Sequence, residues 1–379
     1  MKAVVLGAGR VGAPMAVDLL SENQFEVAVA DRDPVVLESL TKQHSGLQAI
    51  REDLSDPEKL AAVLEPFDLV INAVPGFMGY ATARTIIEAG KNSVCIAFYE
   101  EDPFSLDPVA KDNGVTMIMD CGIYPGMGSA LIMEAALQLD EVHSVLTYVG
   151  GLPKIREWPS EYKAVFSPID VIEEYTRPAR FVENGCEVTR PALSDAEYIS
   201  FPKVGTLEAF NTDGLRTLRR TIDAPNMKEK TLRYPGHAEK MKMLRELGFF
   251  SREKSIEVDG KQVSPLELTS QVLFPNWIMK PEDRDFTVFQ SIIEGMKDGR
   301  RLKRTIDMYD EFCPKTGVTS MARTTGYTAT LAARMVANGL YTRKGISPPE
   351  FMGRCPACME FMRKGLEARG IEYKVTVEG

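Results

Sequence analysis

No stretch of the 379-residue sequence is apolar over the length that a membrane-spanning helix needs. A bilayer is therefore not its expected environment. Runs of lysine and arginine are missing too: acidic residues outnumber basic ones, and the formal net charge is −9. That balance excludes nucleic acid and anionic membrane surfaces as expected partners. Cysteine is sparse, six in all, and scattered apart from one close pair. This is the usage of a reducing cytoplasm with free thiols, not of a disulfide-stapled secreted domain. The close pair lies in Cys355-Pro356-Ala357-Cys358. A zinc site needs four ligands, and no second C-x-x-C or close histidine exists, so no metal is expected and the pair reads as incidental. No internal repeat or low-complexity segment is present. The chain opens directly on a strand pattern, so no signal or transit peptide is expected.

What is present is an ordinary globular composition, 44% apolar and 26% charged, in a chain long enough for two domains. Lys2-Ala3-Val4-Val5-Leu6 is a short apolar run, and Gly7-Ala8-Gly9-Arg10-Val11-Gly12 follows at once. A helix is expected over residues 13–20 and a second strand over 26–30, ending at Asp31. G-x-G-x-x-G between a strand and a helix, with an acid about 20 positions on, is the full dinucleotide-binding context. Gly7 permits a sharp turn, Gly9 lets a pyrophosphate approach the backbone, and Gly12 lets helix and strand pack closely. The N–H groups at the helix start favour phosphate charge. Arg10 and Val11 complete the loop. A carboxylate at Asp31 suits the adenosine ribose hydroxyls and repels a 2′-phosphate, which points to NAD rather than NADP. Arg32, next door, keeps NADP open.

Further strands are expected at residues 47–53, 67–72, 93–98 and 115–119. Asp53 and Leu54 should face the adenine. Asn72-Ala73-Val74-Pro75 forms the loop at the carboxyl end of the fourth strand, where the nicotinamide ribose is expected. Asp120-Cys121-Gly122-Ile123-Tyr124-Pro125-Gly126 marks an expected domain crossover, followed by a helix over 129–139. Residues 142–149 read as a strand and Gly150-Gly151-Leu152-Pro153 as a turn. Residues 286–297 and 301–309, joined by Lys297-Asp298-Gly299-Arg300, read as a hairpin with an exposed edge. A helix over 319–338 should return to the first domain. The expected class is α/β: a Rossmann-type doubly wound parallel sheet domain (1–121), an inserted α+β domain with a mixed or antiparallel sheet (122–318), and a C-terminal helix and tail returning to the Rossmann domain (319–379).

These stretches carry a resemblance. The chain resembles the saccharopine dehydrogenase-like family over nearly its whole length, and within it the lysine 6-dehydrogenase branch. The carriers are the glycine motif, the 120–126 stretch, Tyr148-Val149-Gly150-Gly151-Leu152-Pro153, Leu207-Glu208-Ala209-Phe210 with Thr212, Leu232-Arg233-Tyr234-Pro235-Gly236-His237, and Thr319-Ser320-Met321-Ala322-Arg323-Thr324-Thr325-Gly326-Tyr327. Saccharopine reductases tend to carry an acid where this chain has Tyr124 and a cysteine where it has Val149. The resemblance therefore implies NAD-dependent oxidative deamination of the ε-amine of L-lysine, giving a semialdehyde that cyclises with its own α-amine. It also implies a homodimer built through the second domain. The alternatives are a saccharopine-type enzyme acting on a secondary amine, or a nucleotide-sensing protein without turnover.

Such chemistry needs an anion near the reacting amine and a cation for the distant carboxylate. Asp120 is the first candidate anion, with a cap or hinge role as its structural alternative. Asp213 is the second, with a turn role as the alternative. The His237 imidazole is a candidate proton shuttle near neutral pH, though a lone histidine also serves as a structural group. Arg216 and Arg233 are the candidates for the carboxylate, because a guanidinium binds it in a two-pronged fork. Tyr124 and Thr212 join them as substrate-binding candidates. Cys121 reads as small packing, since the chemistry needs no thiol.

Overall fold

Burial on both faces decides the first sheet. In a computed structural model, which describes residues 1–379, Ala3, Val4, Val5 and Leu6 are all fully buried, the signature of a parallel strand with helices on both sides. The strands are β1 (Lys2–Leu6), β2 (Glu26–Asp31), β3 (Gln48–Arg51), β4 (Leu69–Asn72), β5 (Asn92–Cys95) and β6 (Thr116–Ile118). They lie in the order β6-β5-β4-β1-β2-β3, every pair parallel. This is the doubly wound dinucleotide-binding order. A seventh strand, Gly345–Ser347, extends it beside β6; three residues are too few for a sequence period, and it is absent from the expected elements. Helix starts follow local chemistry. Asp33 and Asp56 each accept two backbone N–H groups ahead of a proline-led helix. The helix after β4 runs Gly76–Glu88.

The chain divides into two units, Met1–Leu137 with Met321–Tyr373, and Gln138–Ser320 with Lys374–Gly379. In the second lie β7 (Glu141–Pro153), β8 (Ala179–Glu183), β9 (Cys186–Arg190), β10 (Glu197–Phe201), β11 (Gly205–Asn211), β12 (Asn226–Arg233), a small hairpin of β13 (Ile256–Val258) and β14 (Lys261–Val263), then β15 (Asp285–Lys297) and β16 (Arg300–Glu311). The main path runs β10-β11-β12-β7-β15-β16, closed at its end by the C-terminal strand Lys374–Glu378; β8 and β9 branch from β12. Only β12 and β7 pair in parallel, so the sheet is mixed. The fold is thus a Rossmann-type sheet plus a second α+β unit.

Two expectations are corrected here. Gly150-Gly151-Leu152-Pro153 is not a turn but the end of β7, paired with β15 through Asp285. Gly150 is there for space: a Cβ on it would lie 2.6 Å from the Leu232 Cβ and from its carbonyl oxygen. A glycine inside a strand marks such a close approach. The 286–309 hairpin does form, with Asp298 and Gly299 both at positive φ in its two-residue turn. Its edge, however, is covered by Lys374–Glu378 over Lys303 to Asp307.

Alternation splits the second sheet into unlike faces. Tyr148, Leu152, Leu207, Ala209, Leu232, Tyr234, Phe286 and Val288 form one apolar cluster. The opposite face carries Glu229, Thr231 and Arg233 at alternate positions of β12. It also carries Thr147 and Ser291, whose hydroxyls hydrogen-bond at 2.9 Å.

Candidate functional site

In the first unit, the glycine loop is crowded at both ends and open in the middle. Gly7 has φ +102°, and a Cβ there would lie 2.8 Å from the Ala73 carbonyl oxygen. A Cβ on Gly12 would meet the Gly7 carbonyl oxygen at 2.0 Å. A Cβ on Gly9 would find no atom within 4 Å. That is the arrangement a pyrophosphate requires: no side chain in its way, and the first turn of Gly12–Leu20 behind it. Asp31 is tied to the loop, with Oδ2 accepting the Ala8 N–H at 2.7 Å and Oδ1 the Asp33 N–H at 3.0 Å. Arg32 beside it is exposed.

The remaining expected cofactor residues differ in how far their side chains are committed. Asn72 is fully buried; its amide donates to the Gly79 carbonyl and accepts the Val74 N–H, both at 3.4 Å. It shapes the Ala73-Val74-Pro75 turn from inside. Asp53 accepts from Ser55 N–H and Oγ, and Leu54 belongs to the apolar core.

Asp120 closes β6 in a left-handed conformation, φ +49°, and is buried. Aspartate tolerates that conformation better than most L-residues, because its short polar side chain can hydrogen-bond locally. The turn that follows is closed by Gly122 N–H to the Pro125 carbonyl and Met127 N–H to the Gly122 carbonyl. A Cβ on Gly126 would sit 1.7 Å from the Gly122 carbonyl oxygen, so this position admits only glycine. Tyr124 is half-buried in the turn. Cys121 is buried, and burial pushes its thiol far up, which fits packing and no thiolate chemistry.

In the second unit, the polar face of β12 draws together side chains from distant segments. Arg233 is buried. Its Nε–H donates to the Tyr175 hydroxyl at 3.4 Å, one terminal nitrogen to the Leu232 carbonyl at 2.9 Å, and the other to Glu174. Its plane lies over the Tyr162 ring at 4.6 Å. The Tyr175 hydroxyl and His237 Nε2 are 2.8 Å apart. The other ring nitrogen, Nδ1, faces the Ser160 carbonyl oxygen, which can only accept, so Nε2 accepts from the Tyr175 hydroxyl. The imidazole proton then sits on Nδ1, 3.4 Å from the Ser160 carbonyl oxygen. Burial, and then the Arg233 charge, push His237 down to about 3, so the ring is neutral at working pH.

Glu229, two alternate positions before Arg233, is a buried carboxyl. Its Oε2 accepts from Thr212 Oγ1 at 2.7 Å and from Gly214 N–H at 3.0 Å. Burial pushes it up to about 8, against those two hydrogen bonds. Thr212 also bonds Thr231 at 2.8 Å. Asp213 takes a two-pronged contact from Arg180, at 3.0 Å and 2.5 Å, besides the Arg180 backbone N–H. Arg216 is buried at φ +49°.

Thr212, Asp213, Arg233 and His237 thus fall within one polar cluster. Asp120 and Tyr124 belong to the other unit. Sequence reasoning missed Glu174, Tyr175, Arg180 and Glu229. No clean local signal marked them: the positions of β12 that alternate with Glu229, Thr231 and Arg233 include Lys228 and Lys230, so the strand is polar on both faces in the sequence.

Comparison with known proteins places this architecture. The model of the saccharopine dehydrogenase NADP binding domain matches residues 3–118, and that of the saccharopine dehydrogenase C-terminal domain matches residues 122–371. Mouse mitochondrial alpha-aminoadipic semialdehyde synthase is 24% identical, over 92% of this chain and 45% of its own length. Saccharopine dehydrogenase [NADP(+), L-glutamate-forming] of Pyricularia oryzae is 29% identical, over 66% of this chain and 58% of its own. The chain thus spans only about half the length of these relatives. Among solved structures, apo saccharopine dehydrogenase (L-Glu forming) from Saccharomyces cerevisiae has the same fold, with a TM-score of 0.81 at 21% identity over the whole of both chains.

Proposed function

The chain belongs to the saccharopine dehydrogenase family, and from that premise we propose that it is a nicotinamide-dependent oxidoreductase acting on a carbon–nitrogen bond of an amino acid, with the ε-amine of L-lysine as substrate. The observation that carries the lysine reading is the pairing of charges on the second unit's polar face. Arg180 is held by Asp213, and Arg233 by Glu174. Saccharopine is a tricarboxylate and would ask for several uncommitted cations. Lysine asks for one carboxylate partner and offers two amines to the surrounding carboxyls. Tyr124 and Val149, standing where saccharopine reductases tend to have an acid and a cysteine, support the same reading.

When bound, the nicotinamide supplies the hydride acceptor. The rest falls to side chains of this chain. Gly7, Gly9, Arg10, Val11 and Gly12 hold the pyrophosphate, and Asp31 the adenosine ribose. Asp53 and Leu54 flank the adenine, and residues 72–75 the nicotinamide ribose. Asp120 stabilises the positive charge that develops on nitrogen as hydride leaves its carbon. Arg233 takes the α-carboxylate by exchanging Glu174, its present partner, for it, with Arg216 and Thr212 beside it. Asp213 and His237 act through neighbours: Asp213 fixes Arg180, and His237 fixes Tyr175 against Arg233.

Cofactor choice rests on two opposed features. The family model is an NADP binding domain, whereas the Asp31 carboxylate opposes a 2′-phosphate; we read NAD as preferred and Arg32 as the route to NADP. We read the chain as a cytoplasmic homodimer. All six cysteines are free thiols and no helix is long and apolar enough to cross a membrane. The exposed Val375 and Val377 on the terminal strand of the second sheet offer an edge for symmetric pairing. The test follows reduced-cofactor absorbance with NAD or NADP and with lysine, saccharopine or no amine. Lysine-dependent reduction with release of ammonia is expected. Turnover of saccharopine alone transfers the assignment to that substrate. Cofactor binding without turnover of any amine leaves the sensor reading.

A further inference from the structure

We infer that Gly326, more than three hundred residues beyond the glycine loop, is a positioning residue for the dinucleotide, an inference that rests on the cofactor reading above. It lies inside the helix Ser320–Ala337, where glycine destabilises a helix relative to alanine. Its backbone is not in the left-handed region, so conformation does not demand it. Space does. A Cβ at 326 would lie 2.9 Å from Met15 Cγ, 3.6 Å from Val11 Cγ1 and 3.7 Å from the Val11 carbonyl oxygen. Met15 is fully buried, and its N–H donates to that same Val11 carbonyl at 3.2 Å. The helix from the far end of the chain therefore rests on the first turn of Gly12–Leu20, the turn that carries the pyrophosphate loop.

That helix cannot back away from an added side chain. Further along the same contact, Thr330 Oγ1 donates to Asp18 at 2.5 Å, Arg334 to Asp18 and Glu22 at 3.0 Å each, and Gln24 to Asn338 at 2.7 Å. Arg369 adds two more contacts to Asp18. A bulge at 326 is then relieved on the side of Met15 and Val11. The preceding residue, Thr325, stands against the other loop of this unit: its Cγ2 lies 3.2 Å from where a Cβ on Gly122 would be. One step of a single helix thus supports both the glycine loop and the turn after Asp120.

The experiment titrates NADH and NADPH into the full-length chain and its variants, alongside thermal melts. Gly326→Ala is expected to weaken dinucleotide binding by about tenfold, the scale on which overpacking a filled contact acts. Met15→Ala in the same chain removes the Cγ it strikes, and the double variant is expected to bind within about threefold of wild type. Gly365→Ala is the control for plain crowding: its Cβ would strike Leu331 Cδ2 at 2.3 Å on the same long helix, away from the loop. It should lower the melting temperature and leave dinucleotide affinity unchanged. If Gly326→Ala does not fold, the double variant carries the test, and its failure to fold or bind overturns the inference. Wild-type affinity in folded Gly326→Ala, or equal weakening in Gly365→Ala, overturns it too. If the wild type binds neither dinucleotide, the cofactor reading fails, and this inference with it.

Discussion

The glycine loop and the polar face of β12 are made of different material. In the loop, the groups offered to a ligand are backbone N–H groups, and the side chains matter by being absent: Gly7 and Gly12 have no room for a Cβ, and Gly9 keeps its surroundings open. Every part of it except the Ala73 carbonyl lies within the first 31 residues. On β12, the polar groups are side chains, and their partners arrive from Glu174, Tyr175 and Thr212, with His237 behind Tyr175. A backbone site does not titrate and survives most single substitutions. A buried side-chain site does titrate, and each member strands its partner when removed. Perturbations should therefore act most strongly, and most pH-dependently, in the second unit.

The largest effect is expected at Arg233. Arg233→Ala leaves Glu174 without its cation and the buried Tyr175 without its donor. Removing one partner of a buried pair costs roughly 3 kcal/mol of stability, and loss of the carboxylate contact should lower kcat/KM for lysine by about 100-fold or more. Preference for lysine over cadaverine, which lacks the carboxylate, should largely disappear. Arg233→Lys should not restore it, because an ammonium lacks the planar fork. Dinucleotide affinity should stay at the wild-type value. An equal fall in NADH affinity would break the contrast between the regions.

Next is Glu229, through pH. Its carboxyl is raised from 4.5 to about 8 by burial. Between those values the unfolded chain has lost the proton and the folded chain has kept it. The stability present below pH 4.5 is therefore lost as pH rises toward 8, at about 1.4 kcal/mol per pH unit for one group. Glu229→Gln keeps an acceptor for Thr212 and Gly214 and has nothing to titrate. Urea melts across pH 5 to 8 should show wild type losing stability relative to this variant. Parallel curves would mean the carboxyl is already ionised when folded.

The third effect tests the backbone site where it does use a charge. Asp31→Ser, with Arg32 retained, should move the ratio of kcat/KM for NADP over NAD upward by about tenfold, since ~1.4 kcal/mol of repulsion is removed. Because Asp31 also accepts the Ala8 N–H, binding of both cofactors should weaken somewhat. An unchanged ratio would remove Asp31 from the discrimination.

The same contrast explains what the sequence revealed. The loop, the strand before it and the acid after it are neighbours in the chain, so spacing alone identifies them. The 286–309 hairpin was legible because Asp298-Gly299 signals its turn locally. Glu174 and Arg180 were not legible: both sit in segments that look like ordinary charged surface, and only folding brings them to Arg233 and Asp213. Gly150-Gly151-Leu152-Pro153 misled for a related reason. Glycine and proline read as breakers unless one knows that the Leu232 backbone lies against Gly150. The strands Gly345–Ser347 and Lys374–Glu378 are short edges whose pairing partners lie far back in the chain.

The smallest effect, and the finest discrimination, belongs to His237. Its imidazole suggests a proton shuttle near neutral pH, yet the ring, at the first residue of the helix His237–Glu246, is buried, neutral and the terminal acceptor of a chain that begins at Arg233. A group pushed from 6.5 down to about 3 cannot produce a limb near pH 6 to 7 in a rate profile. His237→Gln retains an acceptor for the Tyr175 hydroxyl. Its kcat/KM should stay within about threefold of wild type, the scale of one altered neutral hydrogen bond, and the pH–rate profile should superimpose. His237→Ala strands the hydroxyl, lets Arg233 shift, and should raise the KM for lysine by about tenfold with kcat little changed. Stability gives an independent reading. The depressed value means wild type loses stability as pH falls from 6.5 toward 3, because the unfolded imidazole takes a proton that the folded one refuses; His237→Gln should lack that loss. If the glutamine variant instead loses a rate limb near neutral pH, the imidazole carries a proton in turnover, and β12 holds a reacting group as well as a binding one.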